Sequence, residues 1–177
     1  MTTLLGLCGS LRAASFNRKL MLEAARLFAA DSFVEGDLRL PLYDGDLEQQ
    51  GMPGEVQALA DAIGAADAVV IACPEYNKAL PGVLKNALDW VSRVDGNPWQ
   101  DKPVAIVSAT GGRAGGERSQ FSLRLCMVPF RAYVLPGPEV LVGQAKGQFD
   151  EDGRLINERN LAALETLMAD LRAAAAR

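Results

Sequence analysis

An unbroken apolar run, Ala68-Val69-Val70-Ile71-Ala72-Cys73, leads straight into Pro74-Glu75-Tyr76-Asn77, and that junction constrains the fold more than any other stretch of the chain. Six apolar residues without alternation read as a strand buried on both faces, which a sheet covered by helices above and below provides. Pro74 has no N–H to give to a ladder and ends the strand. Pro81 suits the first turn of a helix, and the spacing predicts that helix over 81–94. Glu75, Tyr76 and Asn77 then lie on a short loop at the carboxyl end of a central strand, where open α/β sheets bind ligands. Taken alone, the stretch is equally an ordinary strand-to-helix connection.

The pattern repeats on either side. Leu4 to Cys8 reads as a first strand, followed by Gly9-Ser10-Leu11-Arg12-Ala13-Ala14-Ser15-Phe16-Asn17-Arg18 and a helix from Lys19 with Leu20, Ala24, Leu27 and Phe28 inward. Arg39 to Tyr43 is the candidate second strand, and Val56, Leu59 and Ile63 mark a helix opened by Pro53. Val104 to Val107 is a fourth strand, ending in Ser108-Ala109-Thr110-Gly111-Gly112-Arg113-Ala114-Gly115-Gly116. Residues 117–128 fit a helix with Phe121, Leu125 and Val128 as its inner face. A fifth strand falls within 132–143, interrupted by Pro136 and Pro138. A closing helix carries Leu161, Leu164, Met168 and Leu171 on one stripe. Strands alternating with helices predict an α/β fold: a five-stranded parallel sheet in the flavodoxin-like order 2-1-3-4-5, helices on both faces, one domain over 1–177.

Composition narrows the chemistry. The chain of 177 residues contains no histidine, which removes histidine-dependent triads, His-ligated zinc and imidazole proton shuttles together. A cofactor is the economical alternative. A net charge of −4 argues against nucleic acid or an anionic membrane as the main partner. No run is apolar enough to span a bilayer and no basic leader opens the chain, so the expected location is cytoplasmic. Cys8, Cys73 and Cys126 lack metal-ligand spacing and are expected as free thiols.

In a parallel sheet, the loops after strands one, three and four open at the same edge. The first is rich in hydroxyls and precedes a helix, whose N-terminus offers unpaired N–H groups and partial positive charge to a phosphate. It is neither a P-loop nor the dinucleotide glycine fingerprint; helix capping by Ser15 beside a solvated Arg12 is the lesser alternative. The glycine loop after strand four lets backbone come close to something flat or bulky.

Together, the GSLRxxSxN loop, the PEYNxxxPGxLKNAxDW stretch and the later Gly-Gly loop resemble the NAD(P)H-dependent FMN reductases, over roughly residues 4 to 145. The resemblance implies that Ser10, Leu11, Arg12, Ser15, Phe16 and Asn17 hold the FMN phosphate. It implies further that Pro74, Glu75, Tyr76 and Asn77 border the isoalloxazine ring, with Ala109, Thr110, Gly111 and Gly112 closing its other side. NADPH or NADH would pass hydride to flavin N5, and a quinone-like, azo, chromate or similar small acceptor would take two electrons in a ping-pong sequence, with no catalytic side chain. The chain departs from the family pattern at Ala109, where a hydroxyl residue is common, and at Cys73, Lys78 and Ala79. Lys78 thereby becomes a cation at the mouth of the site. The resemblance also implies a homodimer or homotetramer, for which the sequence offers a second apolar stripe on the 81–94 helix, Val83, Ala87, Trp90 and Val94, with Trp99 nearby. A flavodoxin-like electron carrier, a flavin reductase supplying a partner monooxygenase and a phosphate-binding regulatory module remain as alternatives.

Overall fold

The computed structural model describes residues 1–177. Five strands pair in parallel in the order β2 (Ser32–Gly36), β1 (Thr3–Cys8), β3 (Ala68–Ala72), β4 (Pro103–Ala109) and β5 (Tyr133–Val134), with β6 (Val140–Val142) also parallel to β4. The predicted order is therefore present. Along β3 the side chains alternate between two cores. Val70 and Ala72 meet α1 (Phe16–Phe28) and α6 (Glu158–Ala175) on one face, through Leu20, Phe28, Leu164 and Met168. Val69 and Ile71 meet α3 (Gly54–Ala65), α4 (Gly82–Val91) and α5 (Glu117–Met127) on the other, through Ile63, Leu88 and Leu123. Full burial of Val69, Val70 and Ile71 contributes about 2 kcal/mol each, which is why β3 needs no alternation. No helix is long and apolar enough to cross a membrane.

The second strand is not where the sequence suggested. β2 is Ser32–Gly36, an edge strand whose first four residues are exposed, so no hydrophobic pattern marks it. Arg39 to Tyr43 instead forms a strap after β2 that lies across α4. The Pro41 carbonyl accepts from Asn86 Nδ2 and Trp90 Nε1, both at 2.8 Å, and Asn86 Oδ1 accepts the Tyr43 N–H at 2.8 Å. The strap covers Trp90 of the stripe expected to face another subunit, while Val83, Ala87 and Val94 pack against the core. Trp90 is fully buried against Tyr43, and Trp99 is buried in the core beside Phe130.

α4 is shorter than the expected 81–94, and Pro81 stands as its N-cap residue rather than inside the first turn. Lys85 and Asp89 form a surface pair at 2.6 Å, while Arg93 pairs with Glu48 at 3.0 Å, on the short α2 (Gly45–Gln49). The face of α5 is also reversed. Ser119, Gln120, Leu123 and Met127 point inward, while Phe121, Leu125 and Val128 are exposed. The cause is the broken fifth strand. Around the break two backbone carbonyls take partners from α5: Arg124 donates to the Leu135 carbonyl, just after β5, at 2.7 Å and Gln120 to the Val140 carbonyl, at the start of β6, at 3.0 Å.

Candidate active site

The loops after β1, β3 and β4 meet at one edge of the sheet. In the first loop, the backbone N–H groups of Ser10, Leu11, Arg12, Ala13 and Ala14 find no acceptor within the chain. Ser15 caps α1, its Oγ accepting the Asn17 N–H at 3.2 Å, so the helix begins at Phe16, earlier than its apolar pattern. The N–H groups of Phe16 and Arg18 are left free at that first turn. Leu11 and Arg12 are exposed and Arg12 has no ionic partner, whereas Ser10 and Ser15 are buried. Gly9 is required here by close approach, since a Cβ would fall 2.7 Å from both Leu84 and Pro81. Asn17 has a task the sequence did not disclose. Its Nδ2 donates to the Ala109 carbonyl at 2.7 Å and its Oδ1 accepts the Ala109 N–H at 3.0 Å, bracing the first loop to the end of β4.

Pro74 is buried, and the chain beyond it folds back as a tight hairpin. Tyr76 and Ala79 exchange both backbone bonds, at 3.1 and 3.2 Å, around Asn77 and Lys78, whose φ values are 51° and 68°. Two central residues with positive φ are the geometry of a type I′ turn. Lys78 thus stands exposed at the tip. The Tyr76 hydroxyl reaches Ser10 Oγ at 3.4 Å, so the ring bridges the first and second loops. Glu75 faces the other way: its carboxylate accepts the Arg118 N–H at 3.2 Å and pairs with the Arg118 guanidinium at 3.5 Å, capping the start of α5.

The glycine loop divides in two. Gly111 and Gly112 have open space where a side chain would be, and their N–H groups are unpaired. Gly115 and Gly116, at φ 65° and 95°, are structural: a Cβ on either would lie within 3 Å of Leu141 or Ser108. The open glycines and the unpaired N–H groups of the first loop are the features a flat, phosphate-tailed cofactor requires. A cleft of about 450 Å³ runs beside the first loop, between Leu11, Arg12, Tyr76 and Val83. A cavity of about 630 Å³ opens among Arg113, Gln144 and Arg159; it takes in Arg113 and Ala114 of the glycine loop but none of the residues that the resemblance assigns to FMN.

The family model described as NADPH-dependent FMN reductase matches residues 2–147, a span that holds all three loops. This chain belongs to that family. It is 41% identical to an NAD(P)H-dependent FMN reductase of Pseudomonas aeruginosa, over 88% of this chain and 85% of the relative. It is 40% identical to a quinone reductase of Escherichia coli, with the same coverage of each. Among solved structures, the NAD(P)H:(acceptor) oxidoreductase FerB of Paracoccus denitrificans superposes with a TM-score of 0.88 at 30% identity, covering 99% of this chain and 98% of that one.

In this FMN reductase family member, a buried polar cluster that sequence reasoning missed supports the glycine loop. Ser108 Oγ donates to the Gly115 carbonyl at 2.6 Å and accepts from Gln120 Nε2 at 2.9 Å. Ser119 Oγ lies 3.0 Å from the Cys73 carbonyl and 2.7 Å from that of Gly116. No periodicity marks these residues. The polarity of Ser108 within an otherwise apolar strand is the signal that could have flagged the cluster. The Cys73 thiol is fully buried against the Ser119 carbonyl at 3.7 Å, and burial pushes it up to about 12. Burial likewise raises the Cys8 thiol, 3.5 Å from the Ser10 carbonyl.

Proposed function

We propose that the chain binds FMN across these three loops and oxidises NADPH or NADH to reduce a quinone-like small molecule. The observation that carries this reading is the run of unpaired N–H groups from Ser10 to Ala14, set at the edge where Gly111 and Gly112 leave open space. When bound, FMN supplies the chemistry that side chains here lack, accepting hydride from a reduced nicotinamide and delivering electrons in pairs. The residues of the chain hold and orient. The first-loop amides, the α1 N-terminus and Arg12 take the phosphate. Pro74 to Asn77 and Ala109 to Gly112 flank the ring, and the free Gly111 and Gly112 N–H groups suit negative charge that develops on it. Ser15 and Asn17 contribute by shaping the loop, Phe16 and Leu11 by walling it. Donor and acceptor use the same cleft in turn, which makes the kinetics ping-pong. A quinone is the favoured acceptor because the Escherichia coli relative carries that name.

Anaerobic addition of NADPH or NADH to the purified, FMN-loaded protein is expected to bleach its yellow colour, and a quinone to restore it. Colour that persists with both donors would exclude the reductase and favour an electron carrier. Initial rates should give parallel double-reciprocal lines; converging lines would remove the ping-pong order.

Lys78, raised on the hairpin tip without an ionic partner, attracts the phosphates of the donor or an anionic acceptor. Lys78→Ala is expected to raise the Michaelis constants several-fold, on the order of 1 kcal/mol of lost attraction. Unchanged constants for NADH, NADPH and chromate would dispose of the role.

The same reading places the protein in the cytoplasm as a homo-oligomer. With Trp90 covered by the strap, the surface for self-association is the exposed Phe121, Leu125 and Val128. Light scattering should show a dimer or larger for the parent and a smaller species for Leu125→Asp. A clean monomer of the parent would refute it.

A further inference from the structure

At its carboxyl end the ladder between β3 and β4 stops one bond early. The Cys73 N–H donates to the Val107 carbonyl at 2.8 Å, and continuing the parallel pattern would take the Ala109 N–H to the Cys73 carbonyl. That bond is not made. The Ala109 N–H goes to Asn17 Oδ1 at 3.0 Å, and the Cys73 carbonyl lies 3.0 Å from Ser119 Oγ. The Gly116 carbonyl, 2.7 Å from that hydroxyl, also accepts the Gln120 N–H at 3.2 Å, and the hydroxyl proton is shared between the Cys73 and Gly116 carbonyls. Asn17 comes from α1 on one face of the sheet and Ser119 from α5 on the other, and they are 4% and 0% exposed. Beyond this point β4 pairs only with β6: Ala109 is in register with Val142, and the Thr110 N–H donates to the Val142 carbonyl at 2.9 Å.

We infer that Asn17 and Ser119 are positioning residues that hold β3 and β4 apart at their carboxyl ends, and that this splay sets the slot between Pro74–Tyr76 and Ala109–Gly112. Its bearing on the cofactor rests on the FMN reading above. The physical argument is one of pairing. Buried backbone groups must be bonded, and the two that face each other here are each satisfied from outside the sheet. Removing the Ser119 side chain orphans the Cys73 carbonyl, and removing that of Asn17 orphans both the N–H and the carbonyl of Ala109. Removing both leaves three open groups, of which the Ala109 N–H and the Cys73 carbonyl are each other's natural partners, so the ladder closes by that bond and the slot narrows.

The test is a double-mutant cycle on Asn17→Ala, Ser119→Ala and the double variant, read two ways. Urea unfolding of the apoproteins gives stability, and quenching of flavin fluorescence gives the FMN dissociation constant. Each single variant is expected to lose stability, with the double losing clearly less than the sum. FMN affinity moves in the opposite sense: about tenfold weaker for Ser119→Ala and weaker again for the double variant. Side chains that only fill space on opposite faces of a sheet would add in stability and show no such opposition. Additive stabilities, a double variant that does not fold, or Ser119→Ala binding FMN as the parent does would each overturn the inference. A parent that takes up no FMN would overturn the cofactor reading instead, and the stability cycle would then decide the splay by itself.

Discussion

Gly111→Val is expected to weaken FMN binding by about a hundredfold, equivalent to about 2.7 kcal/mol, while leaving the fold intact. Nothing lies within 4 Å of the position its Cβ would take, and its backbone is not in the left-handed region, so the apoprotein has no reason to unfold. The added methyls would occupy the space assigned to the ring. Titration with FMN, followed by flavin fluorescence, measures the first effect; a melting curve of the apoprotein measures the second. Gly116→Ala is the counterpart with opposite behaviour. Its φ of 95° and a Cβ 2.8 Å from Ser108 predict a loss of about 1–3 kcal/mol in stability. If both variants melted early, the distinction between open and structural glycines in this loop would fail.

Replacing Arg26 and Arg154 together by alanine is expected to cost about 3–5 kcal/mol at neutral pH. Glu23, on the inner side of α1, is only 3% exposed and is held by Arg26 at 2.8 Å and by Arg154 at 3.1 Å. The Arg26 hydrogen bonds keep its carboxyl below the usual range in spite of burial, and Arg154 acts in the same direction. In the parent, this contribution is present above the ordinary carboxylate pKa and disappears as pH falls through the depressed folded value. Without the arginines, burial alone acts and raises the folded pKa. The variant should therefore recover part of its deficit on mild acidification, when Glu23 becomes neutral. Glu23→Gln is expected to cost less, about 1 kcal/mol, because both arginines are about half exposed and rehydrate. Urea midpoints across the acid range test the sign, and a deficit that grows on acidification would contradict it.

The three loops were legible because proline and glycine punctuate apolar strands there, and the family motifs fall on them. What the sequence concealed was polar satisfaction. Phe33 and Val34 lie on an exposed edge, so β2 left little trace, while Leu40 and Pro41 looked strand-like because they cover a helix. The inner face of α5 was misassigned because Ser119 and Gln120 are buried to satisfy backbone carbonyls of other segments, a reason that hydropathy does not encode. Asn17, a phosphate contact by the resemblance, also joins two loops, which the sequence did not disclose. Its neighbour across sequence, Ala109, lies too far along the chain for spacing to reveal.

The buried thiol of Cys73 bears on durability. Stray reaction with dioxygen in a reductase of the proposed kind would release peroxide within a few residues of this sulfur. Peroxide attacks thiolates, and a group titrating near 12 offers almost none at neutral pH. The strand end that carries Pro74 is thus guarded against sulfenic acid formation by its own burial, and no sacrificial reductant is needed to keep it serviceable.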